Sequence, residues 1–164
     1  MTSLPLRANC FDASALIKVF SEERGSEVVR DYFNHRSPTN YTTPFCFYEA
    51  LTVLKTKWMY RGELSKAEYL EASFRLLTWF RGATLYGRDL NFHDPQTFLK
   101  VRDVANRHSL DLSDSFQILS VKEGYFSVLV NDSQTVLVTA DEALAKAARA
   151  EGITAWYCLG EPEP

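Results

Sequence analysis

No uninterrupted apolar run in the sequence approaches the roughly 18 residues that a membrane-spanning helix needs, so no membrane span is expected. The opening residues, Met1 to Arg7, lack the basic start, long apolar stretch and small-residue cleavage site of a secretory signal, and the expected compartment is the cytoplasm. Cysteine is scarce. Cys10, Cys46 and Cys158 stand far apart among apolar neighbours, which suits reduced, buried thiols rather than a disulfide framework or a zinc site. Basic residues are not in surplus: 18 Lys and Arg against 21 Asp and Glu leave a formal net charge of -3, so any nucleic-acid contact has to be local. Glycine is missing from Cys10 to Leu16, the first strand-to-helix turn, where a dinucleotide-binding fingerprint needs it for close phosphate approach. There is also no repeat, linker or low-complexity segment.

What is present is ample core material: 164 residues, of which 46% are hydrophobic, lead to the expectation of one domain over 1–164. Its core is expected over about 6–159, with a Pro-rich tail at 160–164. Leu6 to Phe11 reads as a first strand, after which Ala15, Leu16, Val19 and Phe20 recur at helical spacing. A second helix is expected over Ser26 to His35 and a short strand over Asn40 to Thr43. Thr43-Pro44 is a cap with a first-turn proline, and opens a third helix from Phe45 to Tyr60 with the apolar stripe Phe47, Leu51, Leu54 and Trp58 and the stop Gly62. Ser65-Lys66-Ala67-Glu68 matches a capping box and starts a fourth helix to about Arg81, making a helical hairpin. Thr84 to Tyr86 is a candidate strand, and Asp94-Pro95 and Ser113 begin two further helices. Thr135 to Thr139 is a continuous apolar strand of the kind buried on both faces in parallel sheets. Asp141 then opens an alanine-rich helix closed by Gly152, and Ile153 to Leu159 is a last strand. From Tyr125 to Gln134 both helix and strand fit. The alternation specifies an α/β fold, a three-layer α/β/α domain with a mostly parallel central sheet.

Ligands of such sheets bind beyond the carboxyl ends of the strands, and here those junctions are acidic. Asp12 follows the first strand, Asp114 lies in the first turn of its helix, Asp141 follows Thr135 to Thr139, and Glu49 sits one turn into the third helix. Taken singly, Asp12, Asp114 and Asp141 are each accounted for by helix capping and the helix dipole. Glu49, between Phe45, Cys46, Phe47, Ala50 and Leu51, is expected to be drawn into apolar surroundings where an unpaired charge costs several kcal/mol. A raised pKa, a basic partner or a metal ion would compensate it. Hard oxygen donors with no histidine or thiolate cluster select Mg2+ or Mn2+ over zinc, and His35, His93 and His108 are read as structural or exposed.

The phrases Phe11-Asp12-Ala13-Ser14-Ala15-Leu16-Ile17-Lys18, Tyr48-Glu49, Leu110-Asp111-Leu112-Ser113-Asp114-Ser115-Phe116 and Val138-Thr139-Ala140-Asp141 resemble, in order and context, the acidic motifs of PIN domains over about residues 9 to 157. The resemblance implies a PIN-like fold and a Mg2+- or Mn2+-dependent endoribonuclease, the VapC-like toxin of a toxin–antitoxin system. It implies an RNA substrate, a cognate antitoxin protein and pairing as a homodimer. It makes Asp12, Glu49, Asp114 and Asp141 the catalytic and metal-binding carboxylates, with Ser14 and Thr139 as hydroxyl supports. Asp111 is then a helix cap. Residues Gly124 to Gln134 depart from the pattern by their length. RNA contacts are expected from Lys18, Lys55, Lys57 and Arg61, interleaved with Trp58 and Tyr60, unless these simply form a solvated helix face. Two other readings compete. A PIN-like fold kept as a catalytically inactive protein-interaction module would use the same carboxylates as caps. A haloacid-dehalogenase-like Mg2+-dependent phosphatase also places an aspartate after its first strand, but its second acid, two positions on, is Ser14 here.

Overall fold

The computed structural model describes residues 8–36, 39–83, 89–127 and 135–164. Among them four parallel strands form one sheet: β1 (Ala8–Phe11), β2 (Thr39–Tyr41), β3 (Val136–Thr139) and β4 (Thr154–Tyr157), in the spatial order β2-β1-β3-β4. Every residue of β1 and β3 is buried, as their apolar runs require of strands covered on both faces. Because side chains alternate along a strand, neighbours go to opposite layers. Phe11, Val136, Val138 and Trp156 pack with α1 (Ala13–Phe20), α2 (Ser26–Asp31), α3 (Pro44–Met59) and α4 (Lys66–Ala83). Cys10 and Leu137 pack with α5 (Pro95–His108), α6 (Leu112–Glu123) and α7 (Glu142–Ala150). The result is a three-layer α/β/α arrangement around an all-parallel sheet. None of the described helices is long and apolar enough to cross a membrane.

Local chemistry sets the helix starts. Asp12, Thr43, Asp94, Asp111 and Asp141 each accept a backbone N–H at the head of a helix, and Pro44 and Pro95 occupy first-turn positions where no N–H is needed. The box before α4 is reciprocal, with the Glu68 N–H donating to Ser65 Oγ at 3.1 Å and the Ser65 N–H to Glu68 Oε2 at 2.6 Å. α3 and α4 run antiparallel, since Phe47 stacks on Phe80 with centroids 4.1 Å apart while Trp58 stacks on Tyr69 at 4.8 Å. Gly62 ends α3 with φ 63°, a left-handed conformation that a side chain would oppose.

Several boundaries differ from the sequence expectation, the last strand among them, which spans Thr154–Tyr157 rather than Ile153 to Leu159. The second helix keeps α geometry only to Asp31, and Tyr32–Arg36 continue as a π-helical turn. There Tyr32 is drawn inward, its ring 4.7 Å from that of Trp156 and its Oη donating to Asn9 Oδ1 at 2.9 Å. β2 starts at Thr39 and stops at Tyr41 because the next two threonines are used elsewhere: Thr42 Oγ1 donates to the Phe11 carbonyl at 2.7 Å and Thr43 caps α3. Tyr125–Ser127 form a 3-10 turn. Leu6 and Arg7, the candidate strand Thr84 to Tyr86 and residues 128–134 lie outside the described residues.

Candidate active site

The parallel register pairs Phe11 with Val138, so the residues that follow, Asp12 and Thr139, meet at the carboxyl end of the sheet. Asp12 is only 4% exposed, and its Oδ2 accepts the Ser14 hydroxyl at 2.5 Å and the Thr139 hydroxyl at 3.0 Å. Each hydroxyl is in turn fixed by a backbone donor of the β3–α7 turn. The Ala140 N–H donates to Ser14 Oγ at 2.9 Å and the Asp141 N–H to Thr139 Oγ1 at 3.0 Å. A carboxylate at the end of β1 is thereby tied to the neighbouring strand, which helix capping alone does not require. Burial pushes the Asp12 carboxyl upward, against the opposite pull of the Ser14 and Thr139 hydrogen bonds.

Around it stand more acids. Asp114, half-buried in the first turn of α6, is pushed up to about 8, first by burial and then by the charges of Asp12, Asp111, Glu49 and Asp141. Glu49 is raised by desolvation and by Asp12 and Asp111, and accepts a long hydrogen bond from Ser113 Oγ at 3.4 Å. Asp141 caps α7, accepting from the Ala143 N–H at 2.8 Å and the Leu144 N–H at 3.1 Å, and its charge reaches Asp114. The four predicted carboxylates therefore share one electrostatic neighbourhood, and Asp111 joins them. Asp111 is the α6 cap, accepting the Asp114 N–H at 2.8 Å, as the sequence suggests. Among the described residues no basic side chain is ion-paired with any of these five.

The donors are chemically suited to a hard divalent cation. They are all oxygens, and burial raises the thiols of Cys10, to about 12, and of Cys46, which removes thiolate as a competing soft ligand. Among the described residues, however, no three His, Cys, Asp or Glu side chains converge closely enough to enclose an ion. The acids form an electrostatic cluster rather than a closed coordination cage.

Several expectations need correction. Glu49 is not drawn into the core: it is exposed on α3 while Cys46, Phe47 and Ala50 turn inward. Lys18 and Lys57, expected to face RNA, are buried. Lys18 Nζ donates to Glu23 Oε1 at 2.5 Å and to the Arg24 carbonyl at 2.8 Å, and Lys57 Nζ donates to Glu23 Oε2 at 2.6 Å. An ammonium excluded from water needs such partners, and one glutamate serves both. Lys55 and Arg61 are exposed, while Trp58 is occupied by its stack on Tyr69. His35 and His93 are exposed, and His108 meets Glu151 Oε1 at 2.7 Å, away from the acidic cluster. Gln117, wholly buried beside Asp12, is a residue the sequence reading missed. Its signal was a polar residue in the apolar run Phe116, Ile118, Leu119.

With this geometry in place, the chain is similar to the crystal structure of FitAcB from Neisseria gonorrhoeae, with a TM-score of 0.58 over 93% of this chain and 99% of that one. The sequence identity is 13%, so the likeness is one of fold, an α/β arrangement around an all-parallel central sheet. No protein-family model matches the sequence, and no curated protein is similar to it.

Proposed function

We propose that this protein is a Mg2+- or Mn2+-dependent endoribonuclease that acts as the toxin of a toxin–antitoxin pair. The observation that carries the reading is Asp12, buried at the carboxyl end of β1, locked by two hydroxyls and ringed by acids that no base among the described residues neutralises. Asp12, Glu49, Asp114 and Asp141 would hold the cation. When bound, such a cation supplies the Lewis acidity that phosphodiester hydrolysis needs. The chain's own residues do the rest. Ser14 and Thr139 orient Asp12, and the burial and neighbouring acids that raise Asp114 favour its protonated form in the metal-free protein, where a bound cation would favour the carboxylate. RNA as substrate and an antitoxin as partner are supported by the motif resemblance and by the PIN-like fold. Leu70, Phe74 and Leu77, one face of α4, remain exposed and offer a partner, or a second copy of the chain, an apolar surface. A basic side chain of the antitoxin near Glu49 and Asp114 would replace the cation's charge.

The alternative of a PIN-like interaction module without activity is favoured by one observation: Asp12, Asp111 and Asp141 cap helices, and among the described residues no three acids converge. Incubation of purified protein with RNA in Mg2+, Mn2+ or excess chelator separates the two. The nuclease reading predicts cleavage only with metal, and its loss in Asp114→Asn; cleavage in chelator, or none under any condition, contradicts it. Co-purification with the product of the adjacent gene is expected to recover a complex with suppressed cleavage.

A further inference from the structure

Gln117 lies on α6 one turn after Asp114 and is completely excluded from solvent, so both halves of its amide need partners. In the orientation that satisfies both, its Nε2 donates to Asp12 Oδ1 at 3.3 Å and its Oε1 accepts at 3.2 Å from the Asp12 backbone N–H, which it shares with the Val138 carbonyl at 2.9 Å. Reversed, the amide would set acceptor against acceptor and donor against donor. The other carboxylate oxygen, Oδ2, is already held by Ser14 and Thr139. We propose that Gln117 is a positioning residue for the acidic site: it fixes the rotation of the Asp12 carboxylate and couples it to the helix that carries Asp114. Two hydroxyls on one oxygen, with only the long contact of the Cys46 thiol at 3.9 Å on the other, hold the rotation of the carboxylate loosely. An amide donor on the second oxygen removes the remaining freedom, and the backbone contact sets the register of α6 against the end of β1. The consequence for cation binding rests on the proposed nuclease function; the contact itself does not. Partners that orient metal ligands in this way commonly change affinity or activity by about 10- to 100-fold when removed.

The test joins nuclear magnetic resonance of the metal-free chain to Mn2+ binding by Gln117→Met, of similar length, and Gln117→Leu, both unable to donate or accept. In the wild type, the Gln117 side-chain amide protons are expected to exchange slowly with solvent and to shift in Asp12→Asn. Both Gln117 variants are expected to bind Mn2+ at least about 10-fold more weakly, with kcat/KM on RNA falling in step. Melting of Gln117→Met in chelator is expected to stay close to wild type, a split that a purely structural role would not produce. Fast-exchanging amide protons indifferent to Asp12→Asn, or Mn2+ affinity unchanged in both variants, would overturn the proposal. If Gln117→Met fails to fold, Gln117→Leu and the wild-type resonances decide by the same criteria. A wild type that binds no Mn2+ and cleaves no RNA is a different result, the failure of the nuclease reading, and it removes the positioning role with it.

Discussion

Glu151 and Asp114 are both carboxylates held against helices, and their surroundings displace them in opposite directions. Glu151 is taken by Lys122 at 2.8 Å, His108 at 2.7 Å and Arg107 at 2.5 Å, and these partners hold it down at about 2. Asp114 is half-buried among Asp12, Asp111, Glu49 and Asp141 and is pushed up to about 8. Glu23, between the buried Lys18 and Lys57, repeats the balanced pattern and is lowered. Where charge serves the fold, this chain pairs acid with base. At the carboxyl ends of β1 and β3 it leaves acid beside acid, an arrangement that only protonation or a cation relieves. That difference separates structural charge from a candidate site more sharply than burial does.

The largest expected effect is on activity. Asp12→Asn should abolish RNA cleavage while leaving the circular dichroism unchanged. Glu151→Gln, which removes an acid remote from the cluster, should keep kcat and lose about 2 kcal/mol of stability, because three donors lose a charged acceptor. Cleavage assays and denaturant melts of both variants check the contrast.

Next come opposite responses to pH. The Asp114 carboxyl is raised from an ordinary 3.8 to about 8, so its contribution to stability is complete below pH 3.8 and is lost as pH climbs to 8. The Glu151 carboxyl is lowered from an ordinary 4.5 to about 2, so its contribution is complete above pH 4.5 and is lost as pH falls to 2. In chelator, Asp114→Asn should flatten the first slope and add on the order of 1 kcal/mol at pH 8, since it removes like-charge repulsion. Glu151→Gln should flatten the second slope alone. Stability measured across the pH range for the three proteins reads both slopes.

A smaller signal links protons to the cation. Cation binding needs the carboxylate form, so Mn2+ bound at pH 7 should release up to about one proton from the wild type and fewer from Asp114→Asn. Titration calorimetry in two buffers of different ionisation enthalpy counts them. The smallest effect concerns exposed bases. Lys55→Ala and Arg61→Ala should each raise KM for RNA by no more than a few fold, the equivalent of less than about 1 kcal/mol. Lys57→Ala, which strips Glu23 of a buried partner, should act on melting temperature instead.

Much of this was legible in the sequence. The run Leu6 to Phe11 declared a strand and Thr135 to Thr139 a strand covered on both faces, and Asp12, Thr43-Pro44, Ser65, Asp94-Pro95 and Asp141 marked helix starts through local hydrogen bonding. The sequence placed Asp12 and Asp141 after strands and Glu49 and Asp114 near the starts of helices, and the structure brings all four into mutual electrostatic reach. What escaped was whatever depends on the direction of a side chain across space. Lys18 and Lys57 look like any solvated lysine until Glu23 is found between them from another element. Glu49, with apolar neighbours on both sides in sequence, faces outward because helical rotation, not adjacency, decides its face. Gln117 reaches Asp12 from a helix about a hundred residues downstream, and no local pattern encodes that meeting.

The most direct test of the uncompensated acidic cluster is the melting of wild type and Asp114→Asn at pH 8, in excess chelator and in saturating Mn2+. The account predicts that Mn2+ stabilises the wild type strongly, by about 2.7 kcal/mol at a hundred times Kd. It predicts that Asp114→Asn is the more stable of the two in chelator and gains little from Mn2+. A wild type whose melting is indifferent to Mn2+, together with an Asp114→Asn that is no more stable in chelator, would contradict it and leave these carboxylates as helix caps alone.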